Sequence, residues 1–135
     1  MTTTPAAPTP LLRSTSVHIA VAALAMGGWA TFANWGHGPE RALAAGLVQG
    51  LLSGAITFGL KRSLEAMAAR LPGAAAVVVP PAVTCVVVLL VLLGAHRLAG
   101  TPEVWKTIAV PYAVSSSYAW IYSLSLRLAR ARSTN

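Results

Sequence analysis

Apolar residues run along this chain in four long blocks, and the short breaks between and beyond them hold most of its charge. The blocks cover residues 16–35, 41–60, 74–95 and 103–126. Each is about 20 residues long or slightly more, the length at which a helix crosses a hydrocarbon core of roughly 30 Å. The second block carries the most ordered pattern. Ala42, Gly46, Gly50 and Gly54 recur every fourth position, with Gln49, Ser53 and Thr57 interleaved at the same spacing. At about 100° per residue all seven share an arc of roughly 140°, which only Leu43 also enters. Helices in lipid gain little from hydrophobic association. Small residues that let backbones approach, and polar residues that bond across a seam, therefore predict a helix-packing face.

The breaks define the connections. Residues 1–14 form a Thr-, Pro- and Ala-rich tail, expected to be flexible. Ala23-Leu24-Ala25 imitates a signal cleavage site, yet the apolar run continues past it to Trp35, as a retained span would. A turn is predicted over residues 36–40, where Pro39 suits entry to the next helix. Residues 61–71 keep helical spacing of Leu64, Met67, Ala68 and Leu71, so they are expected to prolong the second span into the headgroup layer. Pro72-Gly73 closes that segment. The third block is the most apolar, and its Pro80-Pro81 pair removes backbone donors, which predicts a kink supported by Thr84 or a neighbouring helix. The fourth contains Pro111 and a run of Ser and Tyr, and residues 128–135 read as a basic tail.

Composition agrees with the pattern. Of 135 residues 56% are hydrophobic and 10% charged, against roughly a quarter charged in soluble domains. The expectation is an all-α integral membrane protein, a bundle of four transmembrane helices in one membrane domain, residues 15–127. The net charge of +7 arises from ten Lys and Arg against three Glu. These lie at span ends rather than on one water-exposed face, so the excess argues topology and not nucleic-acid binding. Arg13, Lys61, Arg62, Arg70, Arg127, Arg130 and Arg132 fall on one side, and Arg41, Arg97 and Lys106 on the other. The positive-inside rule then predicts both termini and the middle connection in the cytoplasm. Cys85 is the single cysteine and lies in an apolar run, where it reads as a small buried hydrophobe.

With that topology spans two and four run parallel. Ser115, Tyr118 and Tyr122 share one arc of span four, and depth counting sets Gln49 level with Ser115, Ser53 with Tyr118 and Thr57 with Tyr122. The expected result is a polar seam between spans two and four, within one chain or across a dimer. Such a seam serves first as interhelical bonding and second as a path for a polar headgroup. The outer loops bring Asn34, His37, Glu40, His96 and Glu103 together with Arg41, Arg97 and Lys106. The three cations are candidate headgroup contacts; ligand spacing for a metal is lacking, and no metal or cofactor is expected. His18 is read as reaching the interface, where a proton-relay role is the less favoured alternative.

No Asp or Glu falls at mid-span. The chain shares length and a small-residue stripe with small multidrug exporters, but it lacks the first-span carboxylate on which their coupling depends. It resembles four-span lipid-linked sugar flippases in size and cytoplasmic ends, without a matching motif; no family is assigned. Nucleophile–base pairs, phosphate loops and Cys clusters are not recognisable, so an enzyme is not expected. The leading expectation is a structural or accessory subunit that associates through its helices, in a homo-oligomer or a larger complex of a bacterial inner membrane. The alternative is an ion-uncoupled lipid or amphiphile translocator using the polar seam. Membrane lipids are expected partners; nucleic acid is not.

Overall fold

A computed structural model describes residues 15–133, all of whose regular elements are helical. Helix α1 spans Thr15–Asn34 and leads through a short 3-10 turn, Trp35–His37, into α2, Pro39–Arg70. Helix α3 spans Ala75–Leu98 and α4 spans Val104–Ser133. Three segments, Ser16–His37, Pro39–Arg70 and Ala75–Leu98, are long and apolar enough to cross a membrane. The N-terminal tail expected over residues 1–14 lies outside the described residues.

Two helices run further than the hydropathy blocks. α2 is one unbroken helix of 32 residues, because Leu60, Leu64 and Ala68 keep its inner face apolar past the charged pair Lys61 and Arg62. α4 likewise continues through most of the stretch expected as a basic tail. Ala and Arg alternate there, and both are strong helix formers. Pro80 and Pro81 are fully buried within α3, which stays helical through them.

The most extensive helix contact joins α1 to α2, and glycine makes it possible. A Cβ on Gly27 would stand 2.8 Å from the Gly46 carbonyl oxygen, and one on Gly46 would stand 2.9 Å from that of Gly27. A Cβ on Gly50 would come within 3.0 Å of the Ala23 carbonyl oxygen. The backbones therefore touch. The small-residue ladder of α2 is occupied by α1, and Ala42, Gly46, Gln49, Ser53 and Gly54 are buried while Leu43 is 61% exposed.

Helix α4 meets α2 in a different register from the depth count. Leu52 and Ile56 of α2 pack with Tyr112 about the Val88, Leu92 and Ile108 cluster, and Leu60 and Leu64 pack with Ala119. Glu65 bonds Tyr122. Gln49 is consequently level with the first turns of α4, and the expected pairs Gln49–Ser115, Ser53–Tyr118 and Thr57–Tyr122 do not form. The count assumed that spans two and four begin at equal depth, whereas α4 begins level with a point about two turns into α2.

Gly28 isolates the packing effect, since a Cβ there meets nothing within 4 Å. We expect Gly27→Ala and Gly46→Ala each to lower unfolding stability in detergent by about 1–3 kcal/mol, the usual cost of overpacking. Gly28→Ala should stay within about 0.5 kcal/mol of wild type. Equal losses at all three positions would contradict the backbone contact.

Candidate functional site

Two sets of polar side chains, one from α2 and α3 and one from α1 and α4, meet in buried junctions. The first junction joins α2 to α3. Thr84, Val88, Leu92 and His96 recur every fourth residue on α3 and are all buried, so His96 is carried inward by an otherwise apolar face. Gly100, with φ +67°, then reverses the chain: the Thr101 N–H returns 3.0 Å to the His96 carbonyl and the Gly100 N–H 3.2 Å to that of Arg97. This is a Schellman ending, and it requires the left-handed conformation that glycine adopts readily. The turn also brings the Thr101 hydroxyl 2.8 Å from His96 Nδ1.

On its other side His96 Nε2 lies 2.8 Å from Gln49 Oε1, and Gln49 Nε2 donates to Ser53 Oγ at 2.8 Å. The donor order follows from chemistry. The amide oxygen only accepts, so Nε2 carries the imidazole proton, and Nδ1 accepts from Thr101 in a neutral ring. Gln49 and His96 are both fully buried. Their bond spans two helices in surroundings where no water competes.

The second junction joins α1 to the start of α4. Asn34 Nδ2 donates to the Ala30 carbonyl at 2.8 Å and to Thr107 Oγ1 at 2.7 Å, and Asn34 Oδ1 accepts the Glu103 N–H at 2.9 Å. Thr107 Oγ1 in turn donates to the Glu103 carbonyl at 2.7 Å. Asn34 thereby caps α4 from another helix and uses both its donors and its acceptor. Around this buried centre lie exposed contacts: Trp29 Nε1 donates 2.9 Å to the Lys106 carbonyl, and Glu103 pairs with His37 at 3.0 Å and Lys106 at 3.6 Å. The His37 hydrogen bond, and then the Lys106 charge, hold the Glu103 carboxyl below its ordinary value of 4.5.

Asn34 and His96, grouped by the sequence with the outer loops, are both fully buried, because Asn34 packs against the start of α4 and α3 continues past His96. Arg41, Arg97 and Lys106 are exposed at this end. At the opposite end Tyr122 donates to Glu65 Oε1 at 2.5 Å and stacks on Tyr118 with ring centroids 5.4 Å apart. Ser115 and Thr57 are half-buried. Sequence reasoning missed Thr101, Thr107 and Glu65 as partners. The four-residue spacing of His96 behind Leu92 and Val88 was the signal for the first junction.

Chemically the junctions are closed. Their hydrogen-bonded side chains are joined to one another, and none of these lines the three cavities of about 350, 340 and 540 Å³. The cavity along α2 and α3 and the groove along α1 and α2 have mainly apolar linings. Comparison with family models, curated proteins and solved structures gives no match.

Two outcomes follow for this site. Asn34→Ala strips the Glu103 N–H of its acceptor and Thr107 Oγ1 of one donor, and should cost about 1–3 kcal/mol in detergent unfolding, whereas Arg97→Ala, exposed, should be within about 0.5 kcal/mol. Glu103 titrates lower in the folded state, so its contribution is complete above its ordinary value and is lost as pH falls through the folded one. Thermal melts of wild type and Glu103→Gln should therefore converge as the pH is lowered below 4.5. Curves that stay parallel would contradict the assignment.

Proposed function

We propose that the chain is a four-span protein of a bacterial inner membrane, with both termini and the α2–α3 connection in the cytoplasm. Its role is that of a structural or accessory subunit, working by helix association in a homo-oligomer or a larger membrane complex. The seven-to-three division of basic residues between the two ends supports the orientation, and the small-residue, Ala- and Leu-rich composition supports the bacterial assignment.

The observation that carries the accessory reading is the outward face of α4. This helix is not among the three whose composition alone suffices for a span. It turns Ser117 and Tyr118 outward, together with Ser125, whose hydroxyl donates to the Tyr122 carbonyl at 2.7 Å. Beside them Trp120 and Ile121 are 45% and 70% exposed. Hydroxyls and aromatics on a lipid-facing surface are better satisfied by another helix than by acyl chains. The α2 ladder is already occupied by α1, which leaves α4 as the face for association. The translocator reading lacks comparable support, since Gln49 and Ser53 are buried and bonded within the chain.

Cysteine crosslinking in native membranes tests this. In a Cys85→Ser background, Ser117→Cys should form a disulfide-linked or bismaleimide-linked product with a second copy or a defined larger protein. Leu24→Cys, 77% exposed on α1, should not. Equal labelling at both positions, or none at Ser117→Cys with the protein running as a monomer, would overturn the reading.

A further inference from the structure

The cavity at the α2–α3 end of the bundle differs from the others in having cations and a frustrated hydroxyl in its lining. It holds about 350 Å³ between the end of α2, the start of α3 and the last turns of α4. Arg127 and Arg130 line it, and among the described residues no acidic side chain does. Arg130 is steered there by donating 3.2 Å to the Ala68 carbonyl. Glu65, the acidic residue nearest in sequence to that wall, is engaged by Tyr122 and by Lys61.

Two further features point to what fits. Ser123, only 1% exposed, lines the same cavity, and its Oγ has no hydrogen-bond partner. A buried hydroxyl normally finds one, commonly the carbonyl a turn earlier in its own helix. Ser123 forgoes that bond. Against the opposite wall, α3 begins without a side-chain cap: Ala74 holds the cap position, and Val77 and Val78 both return their N–H groups to its carbonyl. The first-turn amides of this 24-residue helix thus lack side-chain acceptors, and its positive dipole end is beside Ala76 and Val77, which line the cavity. An uncapped helix start, an unbonded hydroxyl and the Arg127 guanidinium all present donors to this cavity, with the Arg130 guanidinium adding positive charge beside them, a setting that suits an anionic acceptor.

We propose that this cavity binds a phosphate ester, held by the start of α3, Ser123 Oγ, Arg127 and Arg130. A phosphate offers several acceptor oxygens to donors converging from two helices, and guanidinium groups match it in bidentate geometry. The apolar part of the lining, Leu71, Val77 and Leu126, suits the glycerol side of a lipid headgroup, and the cavity volume falls in the range of small-ligand sites. The chemistry is shared by an anionic phospholipid and a soluble phosphate ester. The proposal goes beyond the accessory role and does not depend on which partner α4 meets.

Native mass spectrometry of the delipidated full-length protein in detergent separates the sources. The probes are phosphatidylglycerol, phosphatidylcholine and glycerol 3-phosphate. For a lipid source, phosphatidylglycerol binds in preference to phosphatidylcholine, and excess glycerol 3-phosphate alone leaves no adduct. For a soluble source, glycerol 3-phosphate forms the adduct itself. In either case Arg127→Gln and Arg130→Gln should each weaken binding about fivefold, the effect of one basic residue at an anionic surface. Ser123→Ala keeps every charge and should still weaken it about three- to tenfold, as loss of a charge-assisted hydrogen bond does. Binding unchanged in Ser123→Ala, or no preference for either anionic probe over zwitterionic phosphatidylcholine, overturns the proposal. Since Ser123→Ala removes only an unbonded oxygen, its fold is retained, and a matching melting temperature verifies that.

Discussion

The hydrogen bond between His96 and Gln49 is the constraint to which the rest of the bundle conforms. An amide in the second turn of buried contacts along α2 needs a partner, and an unpaired amide away from water costs more than a made bond returns. α3 supplies that partner by carrying an imidazole on the same stripe as Val88 and Leu92. Once the two rings of contacts coincide, the depth of α3 against α2 is fixed. Thr101 then holds the ring's other nitrogen, which fixes where α3 ends and how the chain turns toward α4. From there Glu103 and Thr107 reach Asn34, so α1 is tied to α4 at the same end of the molecule. At the opposite end Tyr122 donates to Glu65 and Arg130 to the Ala68 carbonyl.

Close approach of α1 and α2 complements these bonds. Gly27 and Gly46 bring two backbones together where any larger residue would meet a carbonyl oxygen. Dispersion between touching backbones and hydrogen bonds between buried side chains are the two sources of helix association in lipid. Here they act on different pairs. The small residues join α1 to α2, and the polar residues join α2 to α3 and α1 to α4. Surfaces left over are apolar on most sides and hydroxyl-rich on α4.

Helix number, order and the inward face of α2 were legible in the sequence because they rest on periodicity, which a helix converts directly into geometry. The seven small and polar residues of α2 are on the inner side of that helix for this reason. Their partners were not legible. Depth counting took every span to begin level, whereas α4 begins level with a point about two turns into α2, which shifts it relative to Gln49 and Ser53. His96 and Asn34 were grouped with the loops because polar residues at span ends look like loop residues, while their burial depends on α3 running past His96 and on the start of α4 packing against Asn34. Ser123 gave no signal by itself, since a serine in a membrane helix ordinarily bonds to its own backbone. Its lack of a partner is a property of packing.

The central claim is that the polar residues of α2 act as a lock between helices, and a double-mutant cycle on Gln49→Leu and His96→Leu in detergent unfolding tests it most directly. Each single change should destabilise, and the pair should show a coupling energy of about 1–2 kcal/mol, at the upper end for hydrogen bonds between membrane helices. Losses that add within about 0.3 kcal/mol would show that the two side chains do not depend on each other, and would contradict the account.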